Sequence, residues 1–234
     1  MSSFNNLHLS VAAKALALGS ADVFPSARPR LETGRLVIIE PTLKNAPAIP
    51  YLDQLVRKLC NVTPPESGPR AFAFTAATKG DGVTFIGKSV ASALARHTSQ
   101  RVLIVDADAL GMRPCATDCP DSDTTASQQG AVYKLRHATS NQKWDARYLR
   151  ANLDEIGRHF DWVVVDCPPL RESDHALAVA PHTSGMLFVV AADSTKRSDI
   201  ARARRSIELS SGNLLGFVLN KRTWPVPESL YQRL

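Results

Sequence analysis

Short, mainly apolar runs alternate along the chain with segments whose apolar residues recur every three or four positions. Residues 71–77, 102–105, 162–165, 186–191 and 215–219 are such runs, each bounded by turn-forming or charged residues. That is the pattern of strands buried on both faces. Ile86, Val90, Ala93, Leu94 and His97 fall on one helical stripe, Leu52, Leu55, Val56 and Leu59 on another, and residues 202–209 read as a basic helix. Strands alternating with helices predict an α/β fold with a mostly parallel sheet covered by helices on both faces. Ligands of such sheets bind at the carboxyl ends of the strands. Here those ends carry a glycine-containing turn at residues 78–82, the carboxylates of Asp106, Asp108 and Asp166, and Asn220.

The first 47 residues break this rhythm. They hold scattered Pro, Ser and Asn, a helix-like segment at 7–18 and a strand-like run at 36–39. They read as an N-terminal arm, partly disordered or partner-docking, ahead of a main domain at 48–234. A Pro- and Gly-rich linker is expected at 63–69 and a mobile polar loop at 117–129.

The 234 residues are 44% hydrophobic and 21% charged, enough to bury a normal core. No apolar run approaches the roughly 20 residues of a membrane-spanning helix. No basic cluster precedes the mildly apolar stretch at 9–18, so the expected location is the cytoplasm. Of the cysteines Cys60, Cys115, Cys119 and Cys167, only Cys115 and Cys119 are close in sequence, and without a second Cys/His pair they predict reduced thiols rather than zinc. The formal charge is +6, densest at Lys196, Arg197, Arg202, Arg204 and Arg205. On a helix that run is first of all a solvated face.

A glycine-rich turn between strand and helix cradles phosphate because its N–H groups converge at the positive end of the helix. Residues 82–89 match G-x-x-x-x-G-K-[ST] literally, but that register puts Val83, Phe85 and Ile86 around the phosphates. The register with the turn at Lys79, Gly80, Asp81 and Gly82 and the helix starting near Thr84 keeps the stripe from Ile86 to His97 buried. Valine 83 then stands where a lysine should be. Lys88 is five residues further on, about 7.5 Å along the axis and about 140° around it.

At these residues the chain resembles the cytoplasmic kinase domain of bacterial tyrosine kinases that accompany capsule and exopolysaccharide export, a branch of the P-loop ATPases that includes septum-positioning and plasmid-partitioning proteins. The usual P-G-E-G-K-[ST] run corresponds to residues 79–84, V-L-L-I-D-A-D to 102–108, and F-D-x-V-I-I-D-x-P-P to 160–169, with Ser173, Asp174 and residues 216–220 following in order. The resemblance implies a P-loop fold and roles by position. Gly80, Asp81, Gly82, Val83, Thr84 and Phe85 would surround the phosphates, and Asn220 would lie at the adenine. Thr84, Asp106 and Asp166 would hold Mg²⁺, and Asp108 would act with Asp106 around the metal and the incoming hydroxyl.

The departures set the expected function. Besides Val83, the E-x-x-R-x-x-R oligomer motif is reduced to Arg57, and the C-terminal tyrosine cluster to Tyr231. Gly111 and Met112 read as inserted before Arg113 and Pro114. The expectation is therefore a catalytically impaired relative that binds ATP or ADP with Mg²⁺ weakly and requires neither. It would act as a regulatory subunit in exopolysaccharide synthesis and export, peripheral at the inner membrane through a polysaccharide co-polymerase or synthase complex, with self-association into a homo-oligomer and no specific nucleic acid. The alternatives are an active tyrosine autokinase using Lys79 or the 82–89 register, and a partitioning-type ATPase binding DNA through the basic helix.

Overall fold

The computed structural model describes residues 35–38, 50–62, 70–113, 132–136, 143–192 and 194–221. The 7–18 segment, the 117–129 loop, Cys115, Cys119 and Tyr231 lie outside them.

Seven strands, β1 (Arg35–Ile38), β2 (Arg70–Ala76), β3 (Val102–Asp106), β4 (Val132–Arg136), β5 (Trp162–Asp166), β6 (Gly185–Ala191) and β7 (Leu214–Asn220), form one sheet in the order β1-β4-β3-β5-β2-β6-β7. Every adjacent pair is parallel except β1 on β4. The mostly parallel, doubly covered architecture is the expected one. The strand at the end of the N-terminal region extends that sheet as its antiparallel edge.

β2, the strand that feeds the glycine turn, lies in the interior of the sheet between β5 and β6. Its residues from Ala71 to Ala76 are buried, because helices cover both faces. On one face α1 (Pro50–Cys60) and α2 (Val83–Thr98) pack Val56, Leu59, Ile86, Val90 and Leu94 against Phe72, Phe74 and Val164. On the other, α3 (Ala107–Leu110), α4 (Leu149–Gly157), α5 (His175–Val179) and α6 (Arg197–Leu209) cover the sheet, with Leu110, Leu153, Val179 and Ile207 packed against residues such as Val163, Val165 and Phe188. The helical stripe holds through Leu94 and then ends. His97 is exposed in the last turn of α2, two residues before the left-handed C-cap at Ser99.

The basic run lies on α6 as a solvated face, with Arg197, Arg202, Arg204 and Arg205 all exposed and Ala203 and Ile207 buried beneath them. α6 is tied to the loop after β5 by Arg171, whose Nη2 donates to Asp199 Oδ1 at 2.6 Å. That bond holds the Asp199 carboxyl below the ordinary carboxylate range. A depressed carboxyl stabilises the fold above its unfolded pKa, about 3.9, and loses that contribution as pH falls through the folded value. Asp199→Asn is expected to lower the thermal midpoint at pH 7. The deficit should close as the pH is taken below about 4, which thermal unfolding across a pH series will measure.

Candidate functional site

The turn between β2 and α2 is built by its own side chains. Gly80 and Gly82 adopt left-handed backbone, with φ of 92° and 101°. Asp81 between them is turned inward and buried, its carboxylate accepting from the Thr78 amide at 3.2 Å and the Thr78 hydroxyl at 3.1 Å. From the end of β7, Asn220 Nδ2 donates to the Asp81 carbonyl at 2.8 Å. The structure thus places Asp81 and Asn220 behind the turn as braces, and neither lines the cleft in front of it.

α2 begins at Val83, one residue earlier than expected, with Gly82 as its N-cap. Gly87, Lys88 and Ser89 of the literal motif are interior residues of this helix, and Ser89 Oγ donates to the Phe85 carbonyl at 2.8 Å. The loop is therefore 78–82, not 82–87. The first-turn amides of α2 have no partner within the helix. That turn contains no acidic residue and its cap makes no side-chain hydrogen bond.

In front of the turn lies a cleft of about 500 Å³, a volume suited to a small ligand. Gly80, Gly82, Val83 and Thr84 line one side and Asp106, Asp108 and Asp166 the other. Phe85 also lines it and is half exposed. Val83 is 9% exposed, and its side chain belongs to the apolar cluster beneath α2. Lys79 lines the cleft and Lys88 does not.

The carboxylates are positioned by strand register. β3 and β5 are paired so that Asp106 stands opposite Asp166. Burial pushes the Asp166 carboxyl above its ordinary range. The Thr84 hydroxyl opposes the shift, Asp106 adds to it, and Lys134 and Lys88 soften it. Thr84, Asp166 and Asp106 supply the hard oxygen donors that Mg²⁺ takes. Asp106, however, already faces a cation, the Lys134 ammonium at 3.7 Å. Among the described residues, no group of three His, Cys, Asp or Glu side chains is arranged to hold a metal ion.

Asp108 is held by groups that sequence reasoning missed. Its Oδ1 lies 2.7 Å from His175 Nδ1, and the His175 ring stacks on Trp144 with centroids 3.9 Å apart. Trp144 Nε1 donates to the Ala107 carbonyl at 3.3 Å. Gly111 makes room for the indole, since a Cβ there would sit 2.0 Å from Trp144 Nε1. The apparent insertion at Gly111 thus has a packing reason. Neither Trp144 nor His175 could be found from spacing, because they lie 36 and 67 residues beyond Asp108 (144 − 108 and 175 − 108) and meet it only through the fold.

Gly82→Ala would place a methyl 2.1 Å from Asn220 Nδ2 on a left-handed backbone. The expected cost is roughly 1–3 kcal/mol in urea unfolding. In an Asn220→Ala background the added cost should shrink, because only the backbone strain remains, and a double-mutant cycle will separate the two parts.

No family model matches the chain. Among curated proteins, the tyrosine-protein kinase CpsD of Streptococcus agalactiae is 30% identical over 74 residues, 32% of this chain and 32% of the relative. The succinoglycan biosynthesis transport protein ExoP of Rhizobium meliloti is 30% identical over 178 residues, 66% of this chain and 22% of ExoP. The chain thus spans about a third or less of the length of these relatives. Among solved structures, the chimerical protein CapA2B2 superposes with a TM-score of 0.57 at 16% identity, covering 83% of this chain and 95% of that one. By sequence and fold together, the chain is a relative of the tyrosine-kinase domains of exopolysaccharide biosynthesis proteins and belongs to their P-loop family.

Proposed function

We propose that this chain is a catalytically impaired member of that family, a nucleotide-cradle fold kept for binding and regulation in exopolysaccharide synthesis and export. In this reading it sits in the cytoplasm against an inner-membrane polysaccharide co-polymerase or synthase complex, and self-association is part of its role. The observation that carries the reading is Val83. At the first position of α2, where the related kinases place the lysine that pairs with the transferred phosphate, this chain has an apolar side chain packed into its own core.

The magnitudes separate binding from chemistry. A missing charge-assisted contact weakens binding by roughly 1.5–3 kcal/mol. A missing preorganised cation in phosphoryl transfer costs on the order of 10²–10³ in rate. The left-handed turn, the uncapped helix end and the cleft support retention of a weak nucleotide site. Val83 supports loss of transfer.

Calorimetric titration with ATP tests this, together with mass spectrometry for phosphotyrosine. The wild type is expected to bind weakly and to carry no phosphotyrosine after incubation with ATP. Val83→Lys, whose side chain can extend into the cleft that Val83 already lines, is expected to bind roughly 10-fold or more tightly. Tight wild-type binding accompanied by turnover and phosphate on tyrosine would overturn the reading.

A further inference from the structure

We propose that the open edge of β7 docks an extended segment of a partner protein, added to the sheet as one more strand, with apolar side chains at alternate positions and acidic residues at its end. The proposal concerns a surface outside the cleft and does not rest on the nucleotide reading.

The backbone supplies the template. β7 is the last strand on its side of the sheet. It runs parallel to β6, and the Asn220 carbonyl accepts from the Ala192 amide at 2.9 Å. Along a strand the N–H and C=O groups of alternate residues face opposite sides. With Asn220 facing β6, Val218 faces it too, and Phe217 and Leu219 turn their amides and carbonyls outward. Among the described residues no strand takes those groups, and such an edge pairs readily with another chain. Edges are commonly blunted by charge, proline or a bulge. Residues 217–220 contain neither charge nor proline, and the irregularity that skips Leu215 comes before them.

The side chains of the same two residues give the edge an apolar face. Four large apolar side chains are exposed among the described residues. Phe85 lies in the cleft, and the other three, Leu209, Phe217 and Leu219, belong to α6 and β7. Phe217 and Leu219 are 47% and 56% exposed. In register they stand opposite Phe188 and Val190, whose cluster includes Ala203 and Ile207 of α6. The Phe217 ring meets that of Phe188 edge-on at 6.0 Å. Both side chains therefore lie on the α6 side of the sheet, beyond the part that α6 covers. An added strand with apolar side chains at alternate positions would extend that layer.

Charge selects the occupant. Asn220 is level with Ala191 at the end of β6, and the chain reaches α6 five residues later, so Lys196, Arg197 and Lys221 gather at this end of β7. All three are exposed, as are Arg202 and Arg205 along the helix. Of the exposed arginines of α6, only Arg204 forms an ion pair among the described residues, with Glu208 of its own helix. Carboxylates at the end of the incoming strand complement this cluster. A second copy joined antiparallel at β7, about an axis normal to the sheet, would carry its own basic helix on the same face and set like charges together. An anionic bilayer suits the arginines but leaves the outward amides without partners in its apolar phase.

The test follows amide exchange by nuclear magnetic resonance on the isotope-labelled full chain. The probe is a short synthetic peptide of alternating valine and threonine with aspartates at both ends. The Phe217 and Leu219 amides are expected to exchange rapidly in the free protein and at least about 10-fold more slowly with saturating peptide. Val218 and Asn220, already turned to β6, should change less than about 2-fold. A lysine-ended peptide is expected to bind roughly 10-fold more weakly. The double substitution Lys196→Glu with Arg197→Glu should reverse that preference, and an acidic first turn suits α6, so the fold is retained. Leu219→Ser should weaken the aspartate-ended peptide roughly 3-fold or more.

Failure of the aspartate-ended peptide to protect these two amides would overturn the proposal. Slow exchange in the free protein would do the same by showing an edge already paired, with sedimentation velocity telling whether a second copy pairs it. Binding to phosphatidylglycerol vesicles without a response to the peptide would assign the face to lipid and overturn it as well. An unchanged preference in the charge-reversed variant would remove the acidic partner from the proposal and with it the choice of occupant.

Discussion

The site depends on one juxtaposition, the pairing of Asp106 with Asp166 at the carboxyl ends of β3 and β5. Parallel strands in register end at the same level, so two carboxylates that are 60 residues apart (166 − 106) face one cleft. Asp166 could not be tolerated there without opposing charge or hydrogen bonds, since it is buried enough for its carboxyl to be pushed up. The Thr84 hydroxyl, at the start of α2, and the Lys134 ammonium, on β4, answer that demand from different elements.

The turn itself is held independently of any lysine. Asp81 satisfies Thr78 from inside, Asn220 satisfies the Asp81 carbonyl from β7, and the two left-handed glycines let the backbone close. None of these bonds involves the side chain at position 83. A substitution there can remove phosphate chemistry and leave the cradle standing, because the forces that shape the loop and those that would act on a ligand come from different atoms. Val83 goes further and adds its methyl groups to the apolar cluster beneath α2.

The strands and the two helices beside the turn were legible in the sequence because their patterns are local. Apolar runs of strand length and a stripe of helical spacing report burial directly, and β2, β3, β5, β6, β7, α1 and α2 all follow from them. β4 was not legible. Its residues Val132–Arg136 place Lys134 between apolar neighbours, with Val132, Tyr133 and Leu135 buried, and its pairing with β3 is a long-range fact. The short helices α3, α4 and α5 carry too few turns for periodicity to stand out. His97 was misplaced because periodicity cannot tell where a helix parts from the sheet.

For the cleft, the family pattern named the three carboxylates that line it, and helical spacing placed the turn at 78–82. What sequence could not supply was the company these residues keep. Asp81 and Asn220 look like ligand contacts when a motif is laid over the chain, and in the fold they also brace the turn through hydrogen bonds. Asp108 looks like a free carboxylate, yet His175 and Trp144 hold it. Asp106 looks like a metal ligand, yet Lys134 is its neighbour. Each of these reversals comes from a residue on another element, so it is the partner rather than the motif residue that decides what the inherited position can now do.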